Sequence, residues 1–316
     1  MRELVLIALT GFPLLAVLLF AVLPPRRALL TTYVLGWLFL PQAEFVFAGI
    51  PDYGKTAAIG IGAILGVLVC DRSRLMELRP QWFDIPIGLY CLWPFVSHVM
   101  NGGSPLTGVN WVIEHTMLWG VPYLFGRLYF KTLDHLRELA IAIFAGGLIY
   151  VPLCWLEIRL APVLHLKVYG FFQHNFLQHM RYGGYRPIVF MQHGIMVGVW
   201  MASATLAGFW LWQDKVLTRL HGIRLSYLVP LLFVTTVFCK CGTALALLVI
   251  GFGIFLAKRL GRQTIALVVV ALTPGAYILM RSTGAWNGAV LLDLIEELDA
   301  QRAGSLRVRM FQEEVY

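Results

Sequence analysis

The sequence contains few charged residues. Only 13% of its 316 residues are Asp, Glu, Lys or Arg, whereas 59% are hydrophobic, and the mean hydropathy is +0.74. Soluble globular domains carry about 25% charged residues. This shortage excludes an ordinary soluble domain and predicts a protein that crosses a membrane several times.

Metal-binding and redox spacings are also missing from the sequence. Cys239 and Cys241 are separated by one residue, and zinc and redox motifs need a two-residue spacer. His174 and His179 are five residues apart, which is not the four-residue spacing that aligns two ligands on one face of a helix. The sequence therefore predicts neither a metal site nor another cofactor.

The chain lacks the features of a secreted or a nucleic-acid-binding protein. Its first apolar run of about twenty residues is too long for a signal-peptide core and has no small-residue cleavage site after it. The net charge is +8, but most of the basic residues lie in short loops between apolar runs. Such charges indicate membrane topology rather than nucleic-acid binding, so membrane lipids are the expected surroundings.

Ten apolar runs are long enough to cross ~30 Å of hydrocarbon. They cover residues 3–23, 28–48, 56–70, 83–99, 109–126, 138–156, 187–211, 226–240, 243–257 and 263–280. We predict an all-α polytopic membrane protein with about ten transmembrane helices, outer-face loops and a helical outer tail. Residues 1–280 would form the bundle, and residues 281–316 would begin an external domain. The glycines of residues 60–66 lie inside one run and predict close helix packing.

Basic residues occur in every second connecting loop. The loops near Arg26, Arg74, Arg127, Arg219 and Lys258 each carry at least two basic residues, whereas the short loops between them carry one or none. Because cytoplasmic loops are enriched in Lys and Arg, these basic loops are predicted to face the cytoplasm. The N-terminus is then predicted to lie outside.

Several arginines break this trend because they lie in predicted outer loops or in the tail. The candidates for a phosphate-binding site are Arg181, Arg186, Arg281, Arg302 and Arg309. A guanidinium group is planar and holds phosphate oxygens in pairs, so outer arginines suit a lipid-linked pyrophosphate at the membrane surface. The alternative is that they reach ordinary lipid headgroups.

Three further residues are candidates for proton transfer. His193 is predicted to lie about two turns below Arg186 within an apolar helix, where it acts as a base or is held by a neighbouring helix. Glu114 and His115 begin the fifth predicted span at its outer end, where an acid and an imidazole suit general acid–base catalysis.

The tail is predicted to start with an amphipathic helix. Its apolar side carries Leu291, Leu292, Ile295 and Leu298. Arg309 lies four residues before Glu313, a spacing that also permits a helical ion pair instead of a phosphate contact. The chain stops at Tyr316 without a closing span, which predicts an incomplete external domain.

Four segments resemble the O-antigen ligase and polysaccharide polymerase superfamily. They are Arg186-Pro187 with His193-Gly194, GRLYF at 126–130, YVPLCWLEIR at 150–159, and the arginine-bearing stretch 302–313. The resemblance covers roughly residues 110–316. It implies a bacterial protein of the cytoplasmic membrane, in which Arg186 and Arg309 best match phosphate-binding arginines.

By this resemblance, the protein takes a glycan from an undecaprenyl-pyrophosphate carrier. It joins the glycan to a hydroxyl of a glycan, lipid or protein acceptor outside the membrane, without a metal ion. Members of the superfamily continue through more loop and closing spans. The alternatives are a transporter or flippase of lipid-linked glycans and a non-catalytic scaffold. Transporters often show inverted repeats, and the sequence has no such symmetry.

Overall fold

The computed structural model describes residues 2–47, 50–181, 183–298, 303–304, 306–308 and 310–311. The chain divides into two compact units, Met1–Val249 and Ile250–Tyr316. The predicted boundary at residue 280 stays a prediction.

Helices dominate the described part of the chain. They are α1 (Arg2–Val22), α2 (Pro25–Phe39), α3 (Lys55–Cys70), α4 (Arg72–Leu75), α5 (Ile85–Met100), α6 (Pro105–His115), α7 (Val121–Tyr129), α8 (Leu133–Arg159), α9 (Leu164–Tyr169), α10 (Gly194–Gln213), α11 (Leu225–Phe238), α12 (Gly242–Arg259), α13 (Gln263–Ser282) and α14 (Ala289–Leu298). A π-helical turn, Thr116–Gly120, joins α6 to α7. The predicted all-helical class is confirmed.

The strands are short and form three antiparallel pairs. They are β1 (Glu44–Phe47) with β2 (Ile50–Gly54), β3 (Met180–Arg181) with β4 (Gly184–Tyr185), and β5 (Arg219–Leu220) with β6 (Ile223–Arg224). Each pair is a hairpin in a loop between helices.

Six helical segments in the described residues are long and apolar enough to cross a membrane. They are Glu3–Val22, Trp82–Met100, Leu133–Arg159, Gly194–Gln213, Gly242–Arg259 and Gln263–Ser282. Two shorter apolar helices, Lys55–Cys70 and Leu225–Phe238, accompany them. The length and composition of these helices support a membrane protein.

Small residues bring the helices of the first unit close together. A Cβ atom on Gly62 would lie 2.9 Å from the Cβ of Ala16, and one on Gly66 would lie 2.3 Å from the Phe20 ring. The predicted close packing at these glycines is confirmed. Likewise, Gly147 of α8 faces Ala204 of α10, so α8, α10 and α11 pack as a second group.

Loops of the first unit meet in two sets. At one end of the helices, Lys131 pairs with Glu77 at 2.9 Å, and Arg127 forms an ion pair with Asp84. At the other end, the hydroxyl of Tyr169 donates to the carbonyl of Phe39 at 2.7 Å. The two loops predicted to be cytoplasmic, residues 71–84 and 127–137, therefore contact one another.

The predicted span 28–48 is wrong in its second half. Helix α2 ends at Phe39, and Leu40 takes an extended conformation with φ −65° and ψ 147°. Pro41 explains this end, because a proline disfavours the helical conformation of the residue before it. Residues 44–47 then form strand β1 instead of continuing the helix.

The predicted start of the seventh span is also wrong. Helix α10 begins at Gly194, and residues 187–193, which we call the buried loop, are not helical. Val189 in this loop has φ 53°, which is incompatible with a right-handed helix. This loop positions the candidate site.

Candidate functional site

A buried carboxylate organises the buried loop. One oxygen of Glu157, near the end of α8, accepts hydrogen bonds from the backbone N–H groups of Ile188 and Val189, both at 2.8 Å. The other oxygen accepts from the N–H of Leu164 at 2.9 Å. Glu157 is only 1% exposed. Because an unpaired buried N–H is costly, this carboxylate allows an apolar segment to leave the helical conformation.

The carbonyl groups of the buried loop are paired by side chains from distant segments. Phe190 O accepts from Lys55 Nζ at 3.0 Å and from Gln42 Nε2 at 3.3 Å. The N–H of Phe190 donates to the Tyr150 hydroxyl at 3.3 Å. Gln173 donates to two further loop carbonyls at 3.0 and 3.1 Å. In a lipid-embedded protein, irregular backbone is tolerated when it is buried and paired in this way.

Arg186 lies immediately before the buried loop and is itself buried, with 5% of its surface exposed. Its Nε has no hydrogen-bond partner among the described residues. Burial lowers the pKa of Arg186, and its neighbour Cys241 opposes that shift. The side chain stays charged because a guanidinium keeps its proton in proteins. Gly194 leaves room for it, since a Cβ there would lie 2.6 Å from the Nε.

Three histidine rings lie together, and the carbonyl of one of these residues, His179, accepts a hydrogen bond from the N–H of Arg186 at 2.8 Å. The ring centroids of His174 and His193 are 4.7 Å apart, those of His174 and His179 are 5.5 Å apart, and those of His179 and His193 are 5.9 Å apart. His179 is fully buried, and neither of its ring nitrogens has a hydrogen-bond partner in the described part of the chain. We call His174, His179, His193, Arg181 and Arg186 the basic cluster.

The charged neighbours of His179 are basic. Burial is the main cause that lowers the pKa of His179 to about 4, and His174, His193, Arg186 and Arg181 lower it further. Arg181 also acts on Arg186. The two arginines favour an anionic ligand, because an anion would offset their mutual repulsion, and the neutral ring of His179 can donate one N–H group to it.

His193 does not lie within a helix as predicted. It is the N-cap residue of α10, with extended backbone, and its Nδ1 accepts a hydrogen bond from the N–H of Ile195 at 3.0 Å. A neutral ring in this arrangement carries its proton on Nε2. The reason for the correction is that the buried loop replaces the first two turns of the predicted helix.

Arg181 reaches the same region through a hairpin. It lies in β3, and its carbonyl accepts a hydrogen bond from Lys240 Nζ at 2.9 Å. Lys240 has φ 51° and lies in the turn between α11 and α12, beside Gly184. The turn thus adds a further positive charge near the basic cluster.

A second feature is a cavity of about 350 Å³ on the side of the buried loop that carries Gln192. Three carboxylates line it, and we call it the acidic cavity. Its polar and aromatic lining includes Glu44, Asp52, Glu114, Lys55, Gln42, Asn110, Gln192, Trp37 and Trp111. Glu114 projects from α6, and Glu44 and Asp52 both interact with it electrostatically.

The predicted pair Glu114–His115 contributes one residue to this cavity. His115 is not part of the described lining, and its Nδ1 is 2.9 Å from the carbonyl of Trp111, to which it donates. Its ring contacts the rings of Trp111 and Tyr90. Glu114 is therefore the member of the pair that can meet a ligand.

The structure describes one of the three remaining predicted arginines, Arg281. Arg281 lies in the second unit at the end of α13, where its Nη2 donates to the carbonyl of Met310 at 3.2 Å. Arg302, Arg309 and the predicted Arg309–Glu313 pair lie outside the described residues. Helix α14 covers the predicted amphipathic segment.

Sequence reasoning missed Glu157, Lys55, Gln42 and Gln173. Glu157 is an acidic residue near the end of a 27-residue apolar helix. An acidic residue in such a segment indicates a buried partner or a functional site, so the sequence did contain a signal for it. The other three lie in loops or at a helix start, where polar residues are ordinary. Among the described residues, no group of three or more His, Cys, Asp or Glu side chains is arranged to hold a metal ion.

Comparison of the chain with protein-family models, with curated proteins and with solved structures gives no match. Its function therefore rests on the chemistry of the basic cluster and the acidic cavity.

Proposed function

We propose that the protein binds the pyrophosphate of a lipid-linked glycan at the basic cluster and transfers the glycan to an acceptor hydroxyl. The observation that carries this proposal is the buried, charged Arg186 with an unpartnered Nε. Arg186 has a hydrogen bond to the Cys241 side chain, which leaves its Nε free to bind an anion. A buried charge costs several kcal/mol unless it is paired, so an anionic ligand would stabilise it. Phosphate oxygens match a guanidinium in pairs and give charge-assisted hydrogen bonds.

The histidines support a phosphate over a carboxylate. His179 and His174 present ring nitrogens without partners in the described residues, so the cluster has more unused polar atoms than a single carboxylate would fill. A pyrophosphate carries several oxygens and more than one negative charge. Helices α8, α10 and α11 pack against the buried loop, and α11 exposes apolar side chains such as Val237 and Phe238, which suit the lipid part of the donor.

The predicted membrane topology is part of the same proposal. We propose that the chain lies in a bacterial cytoplasmic membrane with about ten spans, its N-terminus outside and residues 281–316 outside. In this arrangement the basic loops face the cytoplasm, and the basic cluster and acidic cavity face outward. A polymer donor that has reached the outer leaflet would meet both.

The reaction is a displacement at the anomeric carbon. The acceptor oxygen bonds to that carbon, the bond from carbon to the pyrophosphate oxygen breaks, and undecaprenyl pyrophosphate leaves with the electron pair. Glu114, in the cavity next to the buried loop, takes the proton of the acceptor hydroxyl. Arg186 stabilises the charge that develops on the leaving pyrophosphate.

Binding of undecaprenyl pyrophosphate to the purified chain in lipid nanodiscs tests the donor site. We expect Arg186→Lys and Arg186→Gln to weaken binding at least about tenfold, because a charge-assisted hydrogen bond is worth about 1.5–3 kcal/mol. Arg159→Lys, an exposed arginine at the end of α8, is the matched control and should bind as the wild type does. Equal binding by Arg186→Gln would overturn the donor site.

Turnover separates the enzyme from the transporter or flippase. Proteoliposomes containing the wild-type chain would receive undecaprenyl-pyrophosphate-linked glycans extracted from the source cells, together with acceptor. Glycan transfer predicts release of undecaprenyl pyrophosphate and loss of release in Glu114→Gln. Translocation of the donor without release of undecaprenyl pyrophosphate would contradict the enzyme and support the transporter.

A further inference from the structure

The acidic cavity is separate from the basic cluster but joined to it by two consecutive residues. Gln192 lines the cavity, and His193 belongs to the basic cluster. Lys55 lines the cavity and donates to Phe190 in the same loop. The buried loop therefore contributes residues to both sites.

The size of the cavity suits a small ligand. Its volume of about 350 Å³ lies in the range of roughly 300–1,000 Å³ that small-molecule sites occupy. Aromatic side chains with a few convergent polar groups are the usual lining of such sites. Here Trp37 and Trp111 supply the aromatic surface.

The polar lining is rich in hydrogen-bond acceptors. Glu44, Asp52 and Glu114 present carboxylate oxygens, which only accept when ionised. The Oδ1 of Asn110 is buried and has no hydrogen-bond partner among the described residues. A ligand that fills these positions must supply O–H or N–H donors. A phosphate or another anion is disfavoured, because the three carboxylates would repel it.

Lys55 already contacts other residues at this lining. Its Nζ donates to the carbonyl of Phe190 and lies 5.8 Å from the centroid of the Trp37 ring. Its Nζ is thus directed to the buried loop and to an aromatic face. The carboxylates keep acceptor capacity for a ligand.

We infer that the acidic cavity binds an uncharged, polyhydroxylated ligand, a saccharide, as the acceptor of the transfer reaction. Its hydroxyl groups donate to Asn110 and to the carboxylates, and a sugar ring lies against Trp111. The role of acceptor rests on the proposed function, whereas saccharide binding rests on the cavity alone. Glu114 would hydrogen-bond the hydroxyl whose proton it removes.

Binding of neutral sugars and of amines to the purified chain in nanodiscs tests this inference. Saturation-transfer NMR would compare N-acetylglucosamine, glucose, galactose and mannose with ethanolamine and a lysine-containing peptide. We expect saturable binding of at least one sugar, weakened roughly tenfold by Asn110→Leu, since a good hydrogen-bond anchor is worth about 1.5 kcal/mol. Trp111→Leu serves as the second variant if Asn110→Leu does not fold.

Asp134→Asn is the matched control, because Asp134 is an exposed carboxylate paired with Arg137 at a loop predicted to be cytoplasmic. It should leave sugar binding unchanged. Absence of sugar binding, or binding of the amines in place of sugars, overturns the inference. Undecaprenyl pyrophosphate binding is measured on the same samples. If the wild-type chain does not bind undecaprenyl pyrophosphate, the proposed donor site is wrong. If it binds undecaprenyl pyrophosphate but no sugar, only the proposed acceptor site is wrong.

Discussion

Glu157 connects α8 to the buried loop through three hydrogen bonds from backbone N–H groups. Its carboxylate is buried, where an unpaired charge would be unfavourable. The three N–H donors around it offset that cost. The same donors would be buried and unpaired without it. One side chain thus stabilises the conformation that places Arg186 and His193 together.

We expect Glu157→Gln to lower the free energy of unfolding by about 2 kcal/mol or more, because an amide NH₂ replaces one acceptor and leaves a buried N–H unpaired. Chemical unfolding in mixed micelles measures it. Glu138→Gln on the same helix is the control: Glu138 forms a partly exposed pair with Arg26, and such pairs contribute up to about 1 kcal/mol. Equal losses in the two variants would contradict the role of Glu157.

His179 makes stability depend on pH. Burial lowers its pKa from 6.5 to about 4 in the folded chain, so the unfolded chain binds more protons between these two values. The stability that neutral His179 contributes is therefore present above pH 6.5 and is lost as the pH falls toward 4.

We expect the melting temperature to fall from pH 7 to pH 4.5, and His179→Gln to show a smaller fall over the same window. The exposed His221 provides a control as His221→Asn, since asparagine tolerates its φ of 47°. This control should follow the wild-type profile. An identical pH profile for His179→Gln and the wild type would exclude His179 as the cause.

At the scale of elements, the start of α10 sets the geometry of the basic cluster. His193 caps the helix, and Gly194 in its first turn faces the Arg186 side chain. A helix that began at residue 187 would have carried Gln192 and His193 on its own surface. The observed start instead directs Gln192 to the acidic cavity and His193 to the basic cluster.

Gly194→Ala should weaken undecaprenyl pyrophosphate binding several-fold, because its Cβ would lie 2.6 Å from the Nε of Arg186 and displace the guanidinium. Gly253→Ala in α12 is the matched control, as nothing lies within 4 Å of its added Cβ. That control should bind normally and gain about 0.5–1 kcal/mol of stability from the loss of a helical glycine. Normal binding by Gly194→Ala would show that the guanidinium position is not critical.

At the scale of the whole molecule, the loops of the first unit segregate to two ends of the helices. Residues 71–84 and 127–137 contact each other at one end, and Gln42 contacts His165 at the other. The candidate sites lie at the end with fewer basic loops. If the basic loops face the cytoplasm, both candidate sites therefore face the opposite side of the membrane.

Reporter fusions measure the orientation. Fusions after Arg79, Arg137 and Arg262 should behave as cytoplasmic, and fusions after Gly54 and Tyr182 should behave as external, because basic loops are retained in the cytoplasm. Two reversed fusions would contradict the topology. If the reversed fusions were the two expected to be external, the candidate sites would lie on the cytoplasmic side.

Hydropathy and loop charge were sufficient to predict a helical membrane protein and the close packing at Gly62 and Gly66, because both depend on local composition. The sequence also indicated Arg186 and Glu114 as candidate site residues. Arg186 is a charge beside an apolar run, and Glu114 lies next to His115, where an acid and an imidazole suit proton transfer. It overestimated the lengths of the helices in residues 28–48 and 187–211, because apolar residues that lie in a buried loop have the same hydropathy as residues in a span.

The conformation of residues 187–193 depended on contacts that no local pattern contains. Glu157 pairs their N–H groups from about thirty positions away, and Lys55 and Gln42 pair the carbonyl of Phe190 from more than a hundred. His174, His179 and His193 have no helical spacing, yet the loop brings their rings within 6 Å of one another. Backbone groups must be paired when they are buried, and only the packed chain supplies those partners.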